Sequence, residues 1–265
     1  MFFCSCISCN KSLGLCTTHQ AGEHCQGAFI FNDYRSFIMS AEENLNGMDT
    51  SYLVYREKFT KQLSAKYNAQ YQNTQKDKKE KKCIEKALSD VTRGSLVLDL
   101  PCGTGRLSFF IQNLGFNVIG ADYSDEMLKY AEEMRQALLS AEKNQVTFLK
   151  QDIMAIDYPD NTFAATVCNR LFHHYASAET RQQALKELAR VTQGPLVISF
   201  FNSYSLSALI QRCKYFFKKK SNDRVTISFT EFKKDILAAN LRIEKTYYLA
   251  LGLSRQTYVK LIRAV

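Results

Sequence analysis

The sequence has few of the residues that mark non-globular chains. It contains 3 prolines and 11 glycines among 265 residues, while 46% of its residues are apolar and 23% are charged. Collagen, low-complexity scaffolds and intrinsically disordered chains have other compositions. The composition is therefore that of a globular protein, and the length favours one large domain with a short appendage.

Long apolar runs are also missing. The best candidate, residues 196–210, is interrupted by Ser199, Asn202, Ser203 and Ser205. A transmembrane helix needs about 20 predominantly apolar residues, so we expect no membrane-spanning segment. The N-terminus has neither the basic start nor the continuous apolar stretch of a secretory signal, which favours a cytoplasmic protein with reduced thiols.

Acidic residues are fewer than basic ones. The chain has 26 Asp and Glu against 35 Lys and Arg, a formal net charge of +9. This excess favours an anionic partner such as nucleic acid, acidic lipid or a phosphorylated substrate. The run 76–86, with six lysines and three acids, is compatible either with such a binding patch or with the solvated face of a helix.

The cysteines are unevenly distributed, since five of the nine lie in the first 25 residues. A zinc site there would use the pairs Cys6 with Cys9 and Cys16 with His19. Only six residues separate the two pairs, which is shorter than the usual loop of a zinc finger. We therefore expect no metal site and interpret residues 1–50 as a disordered leader.

The rest of the chain predicts an α/β fold. Residues 51–93 have the pattern of N-terminal helices, and from residue 94 to residue 265 strand-like and helix-like segments alternate, which predicts parallel βαβ units. We expect a doubly wound, Rossmann-like sheet of seven mostly parallel strands with a C-terminal antiparallel hairpin. The predicted strands are 95–100, 117–122, 146–149, 163–168, 195–201, 242–249 and 256–262, and the predicted helices are 52–72, 82–88, 105–114, one beginning near 124, and 178–191.

Acids and glycines follow the first three of these strands. The first strand leads into a turn containing Gly103 and Gly105, which would let a ligand approach the backbone at the N-terminus of the next helix. Asp122, 23 positions after Asp99, ends the second strand, where its carboxylate could accept hydrogen bonds from a ribose. Asp152 follows the third strand and could reach an adenine amino group. The sequence therefore predicts a nucleotide-type ligand at the carboxyl edge of the sheet.

Four segments of this region resemble motifs of the class I S-adenosylmethionine-dependent methyltransferases, with a core of the type 11 kind. The resemblance covers roughly residues 94–265 and rests on residues 97–105, 118–124, 151–153 and 169–174. The sequence departs from the family at Pro101, where the family usually has the first glycine of its loop. A proline fixes φ and removes one N–H, but it leaves the approach at the two later glycines open.

The resemblance implies S-adenosylmethionine as cofactor and methyl transfer as the activity. It implies that the loop with Pro101, Gly103 and Gly105 holds the methionine portion, that Asp99 acts at the same end, that Asp122 and Tyr123 lie at the ribose, that Asp152 and Ile153 flank the adenine, and that Asn169 follows the fourth strand near the cofactor. Loop or capping hydrogen bonds are the alternative role for Asp99, Asp122 and Asp152.

The segment after the fourth strand also supplies the histidines of the candidate site. His173 and His174 are the only histidines outside the first 50 residues. If the acceptor atom must lose a proton, one of them, preferably His174, could act as general base. The alternative is a histidine that is hydrogen-bonded in the wall of the pocket.

Other functions fit the motifs less well. A dinucleotide oxidoreductase would need a glycine at position 108, where the chain has Ser108. The segment 169–172 is not the Asn-Pro-Pro-aromatic motif that resembling enzymes use on exocyclic amines of DNA or on glutamine amides. Residues 212–220 combine five cations with three aromatics and could contact RNA, an anionic membrane surface, or only the protein's own cap. We expect transfer to an O, N or C atom of a small or lipophilic acceptor, with an RNA methyltransferase and an inactive partner-binding protein as alternatives.

Overall fold

A computed structural model of the chain describes residues 74–138, 146–210 and 224–264. All described residues belong to one compact unit of the chain. The leader, the candidate zinc ligands, the helix expected over 52–72 and the basic segment 212–220 lie outside the described residues.

The described residues alternate between strands and helices as expected. The helices are α1 (Gln75–Ala87), α2 (Arg106–Asn113), α3 (Asp125–Leu138), α4 (Ala178–Val191) and α5 (Phe229–Ala238), and the strands are β1 (Leu96–Asp99), β2 (Asn117–Asp122), β3 (Val146–Lys150), β4 (Ala165–Cys168), β5 (Leu196–Phe201), β6 (Leu241–Tyr248) and β7 (Gln256–Arg263). A 3₁₀ turn covers Phe172–His174, and residues 206–210 are helical.

The strands of the described segments form one seven-stranded sheet in the order β3-β2-β1-β4-β5-β7-β6. β1 to β5 pair in parallel, whereas β7 runs antiparallel to both β5 and β6. The predicted doubly wound sheet with a C-terminal antiparallel hairpin is therefore confirmed. In such a sheet the loops after β1, β2, β3 and β4 meet at one edge.

Both faces of the sheet are buried, because helices cover each of them. Val97 and Leu98 are neighbours on β1 and belong to different hydrophobic clusters, as the alternation of side chains along a strand requires. The cluster of Val97 includes Ile84 of α1 and Ile111 of α2. The cluster of Leu98 includes residues of α4 and α5. Among them, Phe232 contacts aromatic side chains of β5 and of the 3₁₀ turn. Strands covered on both faces carry nearly continuous apolar runs, and β4 and β5 are apolar except for Thr166 and Ser199.

Side-chain caps explain where several helices begin. Ser124 accepts a hydrogen bond from the Met127 N–H at 3.3 Å, so the expected cap of α3 is confirmed. Ser228 and Glu231 form a reciprocal capping box at the start of α5, a helix that the sequence analysis did not assign.

Helix α1 begins earlier than the sequence predicted. Thr74 accepts a hydrogen bond from the Asp77 N–H at 3.1 Å, so the helix starts at Gln75 and includes the lysine-rich run. Asp77 and Glu80 are buried on one face, while Lys78 and Lys79 are exposed. The lysines therefore lie on the solvated face of the helix, and the two buried acids lie on the face that points inward.

Within the described segments, no helix is both long and apolar enough to cross a bilayer. The same residues contain no cluster of His, Cys, Asp or Glu with the arrangement of a metal site.

Gly105 provides a test of the packing under the sheet edge. It has φ of +75°, and an added Cβ would lie 2.7 Å from Cζ of Phe148. Gly103 also has a positive φ, +55°, but nothing lies within 4 Å of its Cβ position. We expect Gly105→Ala to lower the free energy of unfolding by about 2 kcal/mol or more, since backbone strain and a clash add.

The matched control is Gly103→Ala, which carries the backbone strain alone and should cost about 1 kcal/mol. Denaturant unfolding of both variants measures the difference. Equal losses of stability would contradict the packing role of Gly105.

Candidate active site

A cleft opens at the carboxyl edge of the parallel strands. It lies at the ends of β1, β2 and β4. Between β1 and β4 the strand order reverses direction, and open α/β sheets usually bind their ligands at such a point. Its lining comprises residues 100–104, 106–107, 122–124, 127, 151–153, 169–171 and 175. Pro101, Gly103, Asp122, Tyr123, Asp152, Ile153 and Asn169 of the predicted set are thus brought together.

Asp122 connects the end of β2 to the glycine loop. Its Oδ2 accepts a hydrogen bond from the Gly103 N–H at 2.8 Å, and its Oδ1 accepts one from the Ser124 N–H at 3.0 Å. Burial raises the pKa of Asp122, and hydrogen bonds from the backbone N–H groups of Ser124, Gly103 and Tyr123 oppose that rise. The carboxylate is 9% exposed and lines the cleft, so it shapes the loop and still presents acceptor positions to a ligand.

The loop after β3 supplies a second acid. Oδ1 of Asp152 accepts a hydrogen bond from the Met154 N–H at 2.9 Å, which turns the chain directly after the strand. Ile153 is buried at 7% exposure beside it, and Tyr123 stands at the rim with 38% exposed. This part of the cleft therefore combines carboxylates with apolar walls, a combination suited to a flat, hydroxylated ligand.

Asn169 is held by three donors from neighbouring strands. Its Oδ1 accepts hydrogen bonds from Ser199 Oγ at 2.9 Å, Tyr258 Oη at 2.8 Å and Gln256 Nε2 at 3.2 Å. These three bonds fix the orientation of the amide of Asn169, which lines the cleft after β4.

Two guanidinium groups line the opposite end of the cleft from the acids. Arg106 follows the glycine loop and Arg170 follows Asn169, and both bind Glu80 of α1: Arg106 Nη2 at 3.0 Å and Arg170 Nε at 3.1 Å. Arg106 also bonds to Asp77. The sequence analysis missed all four residues. A signal was present in the spacing of Asp77 and Glu80, which puts two acids on one face of a helix.

The comparisons with known proteins agree with this geometry. Residues 97–194, which include the glycine loop, Asp122, Asp152 and Asn169, match the family profile described as a methyltransferase domain. Residues 97–194 thus match a methyltransferase domain, in agreement with the S-adenosylmethionine-dependent family that the sequence resembles. The fold and the family resemblance inferred from the sequence are therefore confirmed.

Relatives of this methyltransferase core match over part of their length. Magnesium-protoporphyrin O-methyltransferase of Synechocystis is 32% identical over 107 residues, 40% of this chain and 44% of the relative. Demethylmenaquinone methyltransferase of Thermobifida fusca is 34% identical over 125 residues, 46% of this chain and 50% of the relative. The matches thus span about half the length of these curated relatives.

A solved structure extends the likeness of the fold. Magnesium protoporphyrin IX methyltransferase from Synechocystis, crystallised with bound S-adenosylhomocysteine, superposes with a TM-score of 0.68 at 19% identity. The superposition covers 80% of this chain and 99% of the other. At this identity the likeness concerns the fold, and it includes much of the chain outside residues 97–194.

Four predicted site residues of the methyltransferase core are not among the residues that line the cleft: Asp99, Gly105, His173 and His174. Asp99 is fully buried and accepts a hydrogen bond from Ser108 Oγ at 2.6 Å. Gly105 packs beneath Phe148. Both residues therefore pack beneath the glycine loop. Side chains alternate between the two faces of a strand, and that of Asp99 points into the protein.

The two histidines follow the cleft-lining residues 169–171 in the loop after β4. His173 is 3% exposed, and its ring stacks on Phe201 with a centroid distance of 4.0 Å and an interplanar angle of 4°. Burial, followed by the neighbouring His174 and arginines, lowers the pKa of His173 well below its ordinary value of 6.5. His174, 4.1 Å from His173 between ring centroids, is half-buried and is the more accessible of the two.

The buried carboxyl of Asp99 generates a prediction about pH. Burial raises its pKa from 3.8 to about 7, while the hydrogen bond from Ser108 opposes the rise. Between these values the group is protonated in the folded chain and ionised in the unfolded chain, so unfolding releases a proton and raising the pH favours unfolding. We expect the wild type to lose stability relative to Asp99→Asn by up to about 1.4 kcal/mol per pH unit in this window.

Urea unfolding of both proteins from pH 4 to pH 8 measures this difference. Ser108→Ala is the companion variant, because it removes the hydroxyl and leaves the carboxyl. A stability difference between wild type and Asp99→Asn that does not vary with pH would contradict the raised pKa.

Proposed function

We propose that the chain binds S-adenosylmethionine in the cleft and transfers its methyl group to an O, N or C atom of a small or lipophilic acceptor. The observation that carries the proposal is the hydrogen bond from the Gly103 N–H to Asp122, which joins the glycine loop to the end of β2 within the matched methyltransferase domain. This arrangement brings an open backbone and a carboxylate to the same side of one cleft.

The lining fits the cofactor by charge and by shape. Nothing lies within 4 Å of the Cβ position of Gly103, so a ligand can lie against the backbone there. Asp122 and Asp152 offer acceptors for ribose hydroxyls and an adenine amino group at one end. Arg106 and the amide of Asn169 offer donors for a carboxylate at the other. Pro101 lines the cleft without occupying this space.

The cofactor, when bound, would supply a methyl group on a sulfonium. The sulfur would keep the electrons of the broken S–C bond, and a lone pair of the acceptor would form the new bond to the methyl carbon. The residues of the chain have to hold the acceptor in line with that methyl group and keep water out. Positioning of this kind lowers a barrier by roughly 7–11 kcal/mol. The apolar side chains of Leu171 and Tyr175 close the cleft on the β4 side.

We assign the general base to His174 in preference to His173. His173 is enclosed by Phe201 and His174 and is 3% exposed, so an acceptor hydroxyl or amine has little access to it. His174 is half-buried and is the last residue of the 3₁₀ turn that follows the cleft-lining segment 169–171. It would take the proton that an oxygen or nitrogen nucleophile loses on methylation.

A small lipophilic acceptor agrees with the relatives and with the cleft. The matched relatives are named for a magnesium-protoporphyrin and a demethylmenaquinone acceptor. The cleft is lined on the β4 side by apolar and aromatic side chains, which suits part of such a molecule. RNA as acceptor and an inactive, partner-binding role are the alternatives, and the following titration tests the second of them.

Calorimetric titration of the full chain with S-adenosylmethionine, S-adenosylhomocysteine and NAD tests the cofactor. We expect the first two to bind and NAD not to bind. Asp122→Asn should weaken binding by about tenfold or more, because it replaces a carboxylate acceptor of the ribose by an amide of the same shape. Asp157→Asn, which changes an exposed acid outside the cleft, is the control.

Two outcomes would contradict the assignment. No binding of S-adenosylmethionine to the folded wild type would leave the fold without its cofactor and favour the partner-binding alternative. Wild-type affinity in a correctly folded Asp122→Asn variant would remove Asp122 from the cofactor site.

The role of His174 is tested by turnover. We expect His174→Gln to lower kcat by roughly 10²-fold or more for an acceptor that loses a proton, while the affinity for S-adenosylmethionine stays unchanged. His173→Gln is the comparison, because it alters the adjacent ring that stacks on Phe201. A pH profile of kcat in which His174→Gln keeps the wild-type acidic limb would contradict a base at this position.

A further inference from the structure

We propose that Tyr258 and Gln256 of β7 are positioning residues of the methyl-transfer site, because their side chains hold the amide of Asn169 in one orientation at the wall of the cleft. The inference rests on the proposed function, since it names the residues that orient one wall of that cleft. It gives a role in the site to the C-terminal hairpin, which lies outside the matched residues 97–194.

Two polar side chains are buried at the start of β7. Gln256 is 1% exposed and Tyr258 is 0% exposed. They are two positions apart, so they lie on the same face of the strand, and Gln256 is the register partner of Phe201 at the carboxyl end of β5. Burying a polar group is costly unless it is hydrogen-bonded. The hydrogen bonds of these two side chains therefore decide what they do in the fold.

Both side chains donate to the carbonyl oxygen of Asn169. Tyr258 Oη lies 2.8 Å from Oδ1 of Asn169, and Gln256 Nε2 lies 3.2 Å from it. Gln256 Nε2 also donates to Tyr258 Oη at 3.0 Å. A phenol has one hydrogen, so the Tyr258 hydroxyl accepts from Gln256 and gives its hydrogen to Asn169. Burial raises the pKa of Tyr258 well above its ordinary value of 10, so the hydroxyl keeps this hydrogen at neutral pH.

A third donor comes from β5. Oγ of Ser199 donates to Asn169 Oδ1 at 2.9 Å and accepts the Arg170 N–H at 2.7 Å. A backbone N–H can only donate, so the single hydroxyl hydrogen of Ser199 is left for Asn169. Three donors from two strands thus converge on one oxygen. A turned amide would present its own NH₂ group to them and remove the acceptor that all three use.

Asn169 is the member of this cluster that lines the cleft, whereas Gln256 and Tyr258 do not line it. Asn169 follows β4 directly, and the next residue, Arg170, has a left-handed backbone with φ of +61°. Residues other than glycine keep this conformation where the surrounding structure holds it. β7 reaches this point because it pairs with β5, which pairs with β4. The two residues of β7 therefore act on a bound ligand only through Asn169.

The number of donors favours a positioning role over a contribution to stability alone. A carbonyl oxygen has two lone pairs, so two donors already satisfy it. The third adds little to that satisfaction, but it makes the opposite orientation of the amide less favourable. The two ends of an amide have opposite hydrogen-bonding roles, and a ligand needs one of them. Fixing the amide of Asn169 before binding avoids the cost of ordering it when the ligand arrives.

Titration with S-adenosylhomocysteine tests the assignment in a double-mutant cycle. Tyr258→Phe removes the hydroxyl and keeps the ring that packs with Ile84 and Val97. We expect it to weaken S-adenosylhomocysteine binding by about three- to tenfold in the wild type. In the Asn169→Ala background the same change should weaken binding by less than about twofold. Gln256→Met, which keeps the length of the side chain without its amide, should behave in the same way.

Tyr247→Phe is the matched control. Tyr247 is the register partner of Tyr258 on β6, and its hydroxyl donates to the Lys86 carbonyl at 3.3 Å. The same hydroxyl is lost there without a change at Asn169, so the affinity for S-adenosylhomocysteine should stay at the wild-type value. Melting temperatures establish that the variants fold.

Proton–nitrogen NMR of the side-chain amides reports on Asn169 without any ligand. The Asn169 signal is assigned by its absence in Asn169→Ala. We expect this signal to shift or broaden in Tyr258→Phe and to stay unchanged in Tyr247→Phe, because only the first variant removes a donor to the amide.

The possible results separate the two proposals. An equal loss of affinity from Tyr258→Phe with and without Asn169 would show a structural effect only and would overturn the positioning role. Wild-type affinity in both Tyr258→Phe and Gln256→Met, or an Asn169 signal that neither variant changes, would overturn it as well. Failure of S-adenosylhomocysteine to bind the wild type, with the Asn169 signal responding as expected, would contradict the proposed function alone.

Discussion

The buried carboxylate of Glu80 holds the two sides of the cleft to helix α1. It is fully buried, and it binds Arg106 from the loop after β1 and Arg170 from the loop after β4. A buried charge that loses one partner destabilises a protein by about 3–5 kcal/mol, so these three residues are mutually dependent. Because Arg170 directly follows Asn169, the same ion pair restrains the amide that faces the cleft. The N-terminal helix is thus part of the site although it lies outside the matched domain.

The sheet order separates the charges of the site. Carboxylates follow β2 and β3, and the arginines that line the cleft follow β1 and β4. A ligand with a hydroxylated ring at one end and a carboxylate at the other meets complementary groups in only one orientation. Partly buried groups keep such effects, because salt screens them less than it screens exposed charges.

Much of the core could be predicted from local patterns. The strand after Gly94, the turn with Gly103 and Gly105, and the acids Asp122 and Asp152 are local in sequence, and each depends on a strand end or a turn that leaves a recognisable spacing. The C-terminal hairpin was also visible in the alternation of its two segments. The start of α1 was not, since its position depends on the Thr74 cap and on burial of acids by arginines further along the chain.

The sequence by itself determined the order of the strands and of helices α1 to α4, the edge at which the acids meet, and the resemblance of the core to a methyltransferase family, because these follow from periodicity and short motifs. Only the tertiary structure decided the surroundings of each side chain. It turned Asp99 toward Ser108, enclosed His173 against Phe201, and joined Arg170, which lines the cleft, to Glu80 of α1. The hydrogen bond from Arg170 to Glu80 spans 90 positions of the chain. Contacts of that range depend on how the crossovers stack helices on the sheet, which leaves no local pattern in the sequence.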